Sequence, residues 1–164
     1  FARTLLDRVE QRGFGDRTVL FEPGRSLVGN AGLLLTRVEY LKPGASKNFC
    51  IVDAAMNDLA RPAMYEAYHH IVPVRESQSA PVVYDVVGPV CESGDWLGRD
   101  RSLAVQPGDV VAILSAGAYG FTMSSNYNTR NRAAEVIVDG DKVHLARERE
   151  CFEDLIRGEH LFPA

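Results

Sequence analysis

Residues 3–12, RTLLDRVEQR, place Leu5, Leu6 and Val9 at helical spacing with charged residues between them, and Gly13 follows where helices commonly end. The spacing predicts a helix. Next, Thr18-Val-Leu-Phe21 is a short apolar run that a helix-to-strand connection would bury on both faces of a sheet. Beyond Arg25 the pattern changes, and residues 33–40, 49–52, 82–87, 110–114, 134–138 and 143–147 read as strands. Pro43-Gly44, Pro107-Gly108 and Asp139-Gly140 punctuate them as turns. The last, between EVIV and KVHLARE, is a strong hairpin signal. Short helices are predicted around 60–68 and 152–157, the latter in FEDLIRG, which again ends in glycine. The layout is one αβ unit followed by a mostly antiparallel β domain.

A lone αβ unit cannot cover both faces of its strand. Residues 1–25 are therefore expected to be the end of a truncated α/β barrel, and residues 26–164 a C-terminal β domain. The absence of an initiator Met at Phe1 fits a fragment. An ordinary α+β domain with an N-terminal helix satisfies the periodicity about equally well.

Composition narrows the function. With 46% hydrophobic and 24% charged residues, the 164-residue chain is expected to bury a core of its own. Its formal charge of −4 argues against a nucleic-acid partner, which clustered Lys and Arg would attract. No apolar run approaches bilayer-spanning length, so no membrane association is expected. Cys50, Cys91 and Cys151 are an odd, widely spaced set, better suited to free thiols in the cytoplasm than to a disulfide framework.

Several short motifs carry candidate chemistry. Glu22-Pro-Gly-Arg25 follows the expected buried strand, at the end where α/β folds build their sites. Its Glu and Arg could simply pair. Alternatively Arg25, with backbone at Gly24, forms an anion site and Glu22 faces a cationic group. Arg61 and Tyr65 lie four apart in RPAMY, hence on one face of a helix, with Pro62 suited to a first turn. Adjacent His69 and His70 point apart on any regular element, so a metal site is not expected. Gly117-Ala-Tyr-Gly120 lets backbone crowd a ligand while Tyr119 presents a hydroxyl. Residues 124–128, SSNYN, are polar and turn-prone, lining a site or an interface. Cys91 and Glu92 stand side by side in GPVCESGD, where a strand gives way to a turn. A cysteine there is often only a small buried hydrophobe, yet the flanking glycines favour exposing both heads to a cleft.

Taken together, FEPGR, VDAAMNDLARPAMYEAYHH, GPVCESGD and GAYGFTMSSNYNTR resemble the diaminopimelate decarboxylases. The resemblance implies a pyridoxal-phosphate enzyme whose (β/α)8 barrel is followed by a mainly β, Greek-key-like barrel or sandwich domain, as in alanine racemase and ornithine decarboxylase. This chain would hold only the last barrel helix and strand plus the β domain. The family's Schiff-base lysine lies early in the barrel; Lys42, Lys47 and Lys142 sit in no such context, so the isolated chain is expected to be inactive. By resemblance Glu22 faces the cofactor's ring nitrogen, and Pro23, Gly24, Arg25 and Tyr119 surround its phosphate. Arg25, Arg61, Tyr65 and Tyr119 contact the substrate, meso-diaminopimelate, Arg61 and Tyr65 reading its distal carboxylate and Glu92 its distal ammonium. Cys91 matches the proton donor to the α-carbon; an ordinary thiol is protonated at neutral pH and can serve as that acid. Cys91 and Glu92 would come from the neighbouring subunit of a homodimer. A decarboxylase of ornithine, arginine or a polyamine precursor, or a non-catalytic β module for dimerisation or ligand binding, is the alternative reading.

Overall fold

The computed structural model describes residues 2–162. Helix α1 (Ala2–Gln11) closes as its sequence predicts. Gly13 adopts φ 80°, its N–H donates to the Glu10 carbonyl at 2.9 Å, and the Phe14 N–H reaches back to Val9 at 3.1 Å. That paired arrangement satisfies carbonyls the helix would otherwise orphan. No α1 residue is buried. The expected strand at Thr18–Phe21 is not a strand: residues 18–23 lack regular structure, and Leu20 stays 88% exposed. Among the described residues no neighbouring strand offers it a ladder, and a strand is defined by its partner.

Next come α2 (Gly24–Val28) and a 3-10 turn, Gly29–Ala31, where the sequence suggests only a tight turn. Strands β1 (Leu34–Lys42), β2 (Phe49–Val52), β3 (Ile71–Pro73), β4 (Val82–Val87), β5 (Trp96–Leu103) and β6 (Val110–Ile113) form one sheet in the order β3-β6-β1-β2-β4-β5. Every pairing is antiparallel except β2 with β4, whose parallel register needs the long crossover through residues 53–81. The single-turn helix α3 (Arg61–Tyr65) lies in that crossover. The edges β3 and β5 curl toward each other: a Cβ on Gly98 would stand 2.9 Å from Ile71 Cδ1. The result is a mainly β, nearly closed barrel-like sheet.

Alternation sets the core. Thr36 and Val38 of β1 and Cys50 and Val52 of β2 point inward, while Leu35, Arg37 and Glu39 face out. With Leu59, Val86, Leu97, Val111 and Ile113 they fill the interior. Strands β3 and β5 escape the sequence reading for different reasons. β3 is three residues long and ends at Pro73; β5, WLGRDRSL, breaks its alternation at Asp100, which sits at φ 54°. Strands β7 (Glu135–Asp139) and β8 (Lys142–Arg147) form the expected hairpin as a separate ribbon, with Gly140 at φ 60° in its two-residue turn. Helix α4 (Phe152–Leu155) follows, and Gly158 at φ 86° ends that segment.

Candidate active site

Pro62, buried at the start of α3, and Glu66 at φ 52° confine that helix to one turn. Within it Arg61 and Tyr65 share a face, with the guanidinium carbon 5.4 Å from the Tyr65 ring centroid. The same guanidinium lies 5.3 Å from the ring of Tyr119, so two aromatic faces flank one cation. Arg61, Tyr65, Tyr119 and Met123 line an open depression of about 300 Å³. The Arg61 head group makes no ion pair or hydrogen bond among the described residues. Tyr119 occupies φ 64°, a conformation a bulky residue adopts only when its surroundings impose it.

Those surroundings are the α2 segment. The Gly117 N–H donates to Gly29 at 3.1 Å, the Ala116 N–H donates to Gly32 at 2.9 Å, and Ser115 Oγ bonds Asn30 Oδ1 at 3.0 Å. The approach is so close that a Cβ on Gly117 would fall 2.0 Å from the Val28 carbonyl, and one on Gly32 2.5 Å from Gly117 Cα. Gly29 lies between the Arg25 stem and the Ala118 methyl, 3.3 and 3.8 Å from the point where its own Cβ would stand. Arg25 and Tyr119, remote in sequence, are thus mounted on two docked turns. Pro23 offers its carbonyl to the N–H and hydroxyl of Ser26 at 2.7 and 2.6 Å, and Gly24 has open space where a side chain would be. Glu22 is exposed beside them and makes no ion pair with Arg25.

Cys91 and Glu92 sit on the loop between β4 and β5, and Asp95 holds that loop. This carboxylate is 4% exposed; Oδ1 accepts the Met56 N–H and Oδ2 the Val90 N–H, both at 2.7 Å. Burial pushes its pKa upward, and the two backbone donors only partly offset this. Gly88 is required here, because a Cβ would fall 2.4 Å from Asp95 Oδ2. Glu92 Oε1 accepts the Gly94 N–H at 3.2 Å, and Oε2 accepts the Tyr127 hydroxyl at 3.3 Å. Of the three thiols, Cys50 lies in the core with its pKa pushed up to about 11 by burial. Cys151 caps α4 and is held up by hydrogen bonds to Glu153 and Asp154. Cys91 is exposed.

Two groups therefore emerge: Arg25, Arg61, Tyr65 and Tyr119 around the α2 and 115–123 turns, and Cys91 with Glu92 on the β4–β5 loop. No hydrogen bond, ion pair or common pocket joins them among the described residues. His69 and His70 diverge: His69 is buried with Nδ1 2.9 Å from the Leu114 carbonyl, whereas His70 Nδ1 meets the Tyr68 hydroxyl at 3.2 Å. Lys47 pairs with Asp85 at 2.7 Å, Lys42 stands opposite Phe49, and Lys142 opens β8. Sequence reasoning left Asp95, Asn57 and Tyr127 without roles. Their signal was present, since Asp95 ends GPVCESGD and Tyr127 lies within SSNYN.

Residues 9–117 match the family model "Pyridoxal-dependent decarboxylase, C-terminal sheet domain". Over 163 residues the chain is 57% identical to the diaminopimelate decarboxylase of Pseudomonas aeruginosa, covering 99% of this chain and 39% of that protein. The crystal structure of diaminopimelate decarboxylase from M. jannaschii superposes with a TM-score of 0.90 at 42% identity, covering 98% of this chain and 37% of the other. A co-complex of diaminopimelate decarboxylase from M. jannaschii with L-lysine gives 0.88 at 43%, over 95% and 36%. The chain thus spans less than two-fifths of the length of these relatives.

Proposed function

The chain belongs to the pyridoxal-dependent decarboxylases, matching their C-terminal sheet domain, and from that premise we propose that it supplies the β-domain part of a site converting meso-diaminopimelate to lysine and carbon dioxide. In this reading residues 1–25 close the preceding barrel, residues 26–164 are the β domain, and the cofactor-bearing lysine stands in the barrel. Lys42, Lys47 and Lys142 lie outside both groups of candidate site residues, which supports that division. So does the exposed face of α1.

The residues present fit the phosphate end of pyridoxal phosphate. Gly24 leaves backbone open, Arg25 supplies a charged fork, and Tyr119 adds a hydroxyl on the turn docked beside it. Bound there, the cofactor supplies the electron sink for the charge left when carbon dioxide departs. Glu22 holds a proton at the ring nitrogen. Arg61 and Tyr65, with Arg25, take the distal carboxylate, and Glu92 takes the distal ammonium. The Cys91 thiol gives its proton to the α-carbon and recovers one from solvent.

The observation that carries this reading is Arg61. Held between Tyr65 and Tyr119 with no anionic partner among the described residues, its charge is available to a ligand carboxylate. A substrate with only an amine at its far end would leave that guanidinium unpaired in a closed site, a costly arrangement. Separation of the Cys91 loop from the Arg61 group supports sites shared across a homodimer. No described helix is long and apolar enough to cross a membrane, and three free thiols support a place in the reducing cytoplasm.

Subunit complementation tests the proposal. Full-length Cys91→Ala protein is mixed with a second variant lacking the cofactor-bearing lysine, each nearly inactive. Random exchange makes half the dimers mixed, each with one intact site, so about a quarter of wild-type lysine production should return. Exchange confirmed by mass spectrometry without any gain would refute shared sites. Unmixed wild type that releases no carbon dioxide from meso-diaminopimelate would refute the activity, and turnover by the 164-residue chain alone would refute the placing of the cofactor-bearing lysine outside it.

A further inference from the structure

Resting on the reading of Glu92 as the reader of the distal ammonium, we infer that Tyr127 is a positioning residue that sets Glu92, and with it the site's preference for a ligand carrying that ammonium. Glu92 has two contacts in the structure, the Gly94 N–H on Oε1 and the Tyr127 hydroxyl on Oε2. A carboxylate has about four lone-pair positions. These two donors therefore fix its plane and leave acceptor capacity on both oxygens for an ammonium. The Gly94 contact is local to the loop and restrains one oxygen; among the described residues only Tyr127 orients Glu92 from outside it.

Tyr127 can do this because its own segment is locked. Asn57 is 2% exposed and clasps Ser125 from both sides: its backbone carbonyl accepts the Ser125 N–H at 2.9 Å and its side-chain amide donates to the Ser125 carbonyl at 3.2 Å. Downstream, Arg130 bonds Asn57 Oδ1 at 2.9 Å and the Asp53 carbonyl at 2.5 Å. Between these anchors Asn128 and Thr129 both take positive φ, 59° and 56°, a conformation that side-chain-bearing residues adopt at a cost. The preceding residue, Met56, donates its N–H to Asp95. One short turn, residues 53–58, thus fastens both the loop that carries Glu92 and the segment that carries Tyr127. Their hydroxyl-to-carboxylate contact is the consequence of a shared frame. It spans 35 residues of sequence, and the substitution Tyr127→Phe removes it without removing the ring.

The test uses the full-length holoenzyme and two competitive ligands of the decarboxylation reaction, L-lysine and 6-aminohexanoate. Both carry the distal carboxylate; only lysine carries the distal ammonium. Tyr127→Phe should weaken lysine inhibition about three- to tenfold, the worth of one hydrogen bond, and leave 6-aminohexanoate within twofold. In a Glu92→Gln background the same change should have no further effect on lysine. Equal weakening of both ligands would make Tyr127 merely structural and overturn the inference. So would selective loss of lysine binding in Glu92→Gln with none in Tyr127→Phe, which leaves the parent reading intact. Glu92→Gln with no selective effect on lysine would overturn that parent reading and the inference with it.

Discussion

Replacing Asp95 by Asn separates two opposed terms at the base of the Cys91 loop. The carboxylate receives two backbone N–H groups at 2.7 Å, from Met56 and Val90. An amide of the same shape accepts only one of them and turns its NH2 toward the other. Losing one bond to a buried charged acceptor costs about 1.5–3 kcal/mol, and the orphaned donor stays buried. Against this, removing a charge from a site 4% exposed relieves its desolvation, which is what raises the Asp95 pKa. A net loss of about 1–2 kcal/mol is expected at pH 7. The sign of the pH dependence follows from the raised pKa. Protonation of Asp95 favours the fold, so this contribution is present at low pH and is lost as pH rises through the folded-state pKa, above the ordinary 3.8. Asn cannot titrate, so the gap between wild type and Asp95→Asn should widen as pH falls from 7 toward 4. Urea unfolding of the 164-residue chain, followed through its single tryptophan, Trp96, next to the substitution, measures both quantities. A variant as stable as wild type at pH 7, or a gap that closes on acidification, would refute the reasoning.

Two further predictions concern the other half of the site. Gly117→Ala would place a methyl 2.0 Å from the Val28 carbonyl and 2.7 Å from the Gly32 nitrogen; both are backbone atoms, so the α2 turn must withdraw and carry Arg25 from Tyr119. Overpacking of this kind costs about 1–3 kcal/mol, and the full-length variant should bind pyridoxal phosphate at least about tenfold more weakly by fluorescence titration. Arg61→Leu in the full-length enzyme should weaken competitive inhibition by L-lysine about 10- to 150-fold, from the roughly 1.5–3 kcal/mol of a charge-assisted contact. Cadaverine, which has no distal carboxylate, should change by less than twofold, and equal losses for the two ligands would make Arg61 structural.

How much was legible depended on whether the cause was local. The β7–β8 hairpin, the Gly13 stop of α1 and strands β1, β2 and β4 follow from alternation and turn chemistry within a dozen residues. The run at Thr18–Phe21 has the same local character as a buried strand but no partner within the described residues, and pairing is not a local property. β5 failed in the opposite direction: its partner β4 and the approach to Ile71 make it a strand although Arg99, Asp100 and Arg101 interrupt its pattern. Residues 24–28 look like a tight turn because Pro23-Gly24 opens them. They become helical because the following turn docks glycine to glycine on residues 116–118.

The candidate site divides along the same line. Arg61 and Tyr65 could be placed on one face because their four-residue spacing and Pro62 fix a helical turn locally. That Tyr119 closes over the same guanidinium could not, because it rests on the contact between Gly32 and Gly117, 85 residues apart. Cys91 and Glu92 were visible as an adjacent pair of reactive residue types, but nothing in GPVCESGD says what orients them. The answer lies in the 53–58 turn: Met56 grips Asp95, and Asn57 grips the segment bearing Tyr127. Residues with no reactive group of their own, two glycines and an asparagine, therefore decide where the reactive ones stand. Substitutions at Gly117 and Asn57 should accordingly disturb function as much as changes at Arg25 or Glu92, although neither residue would touch a ligand.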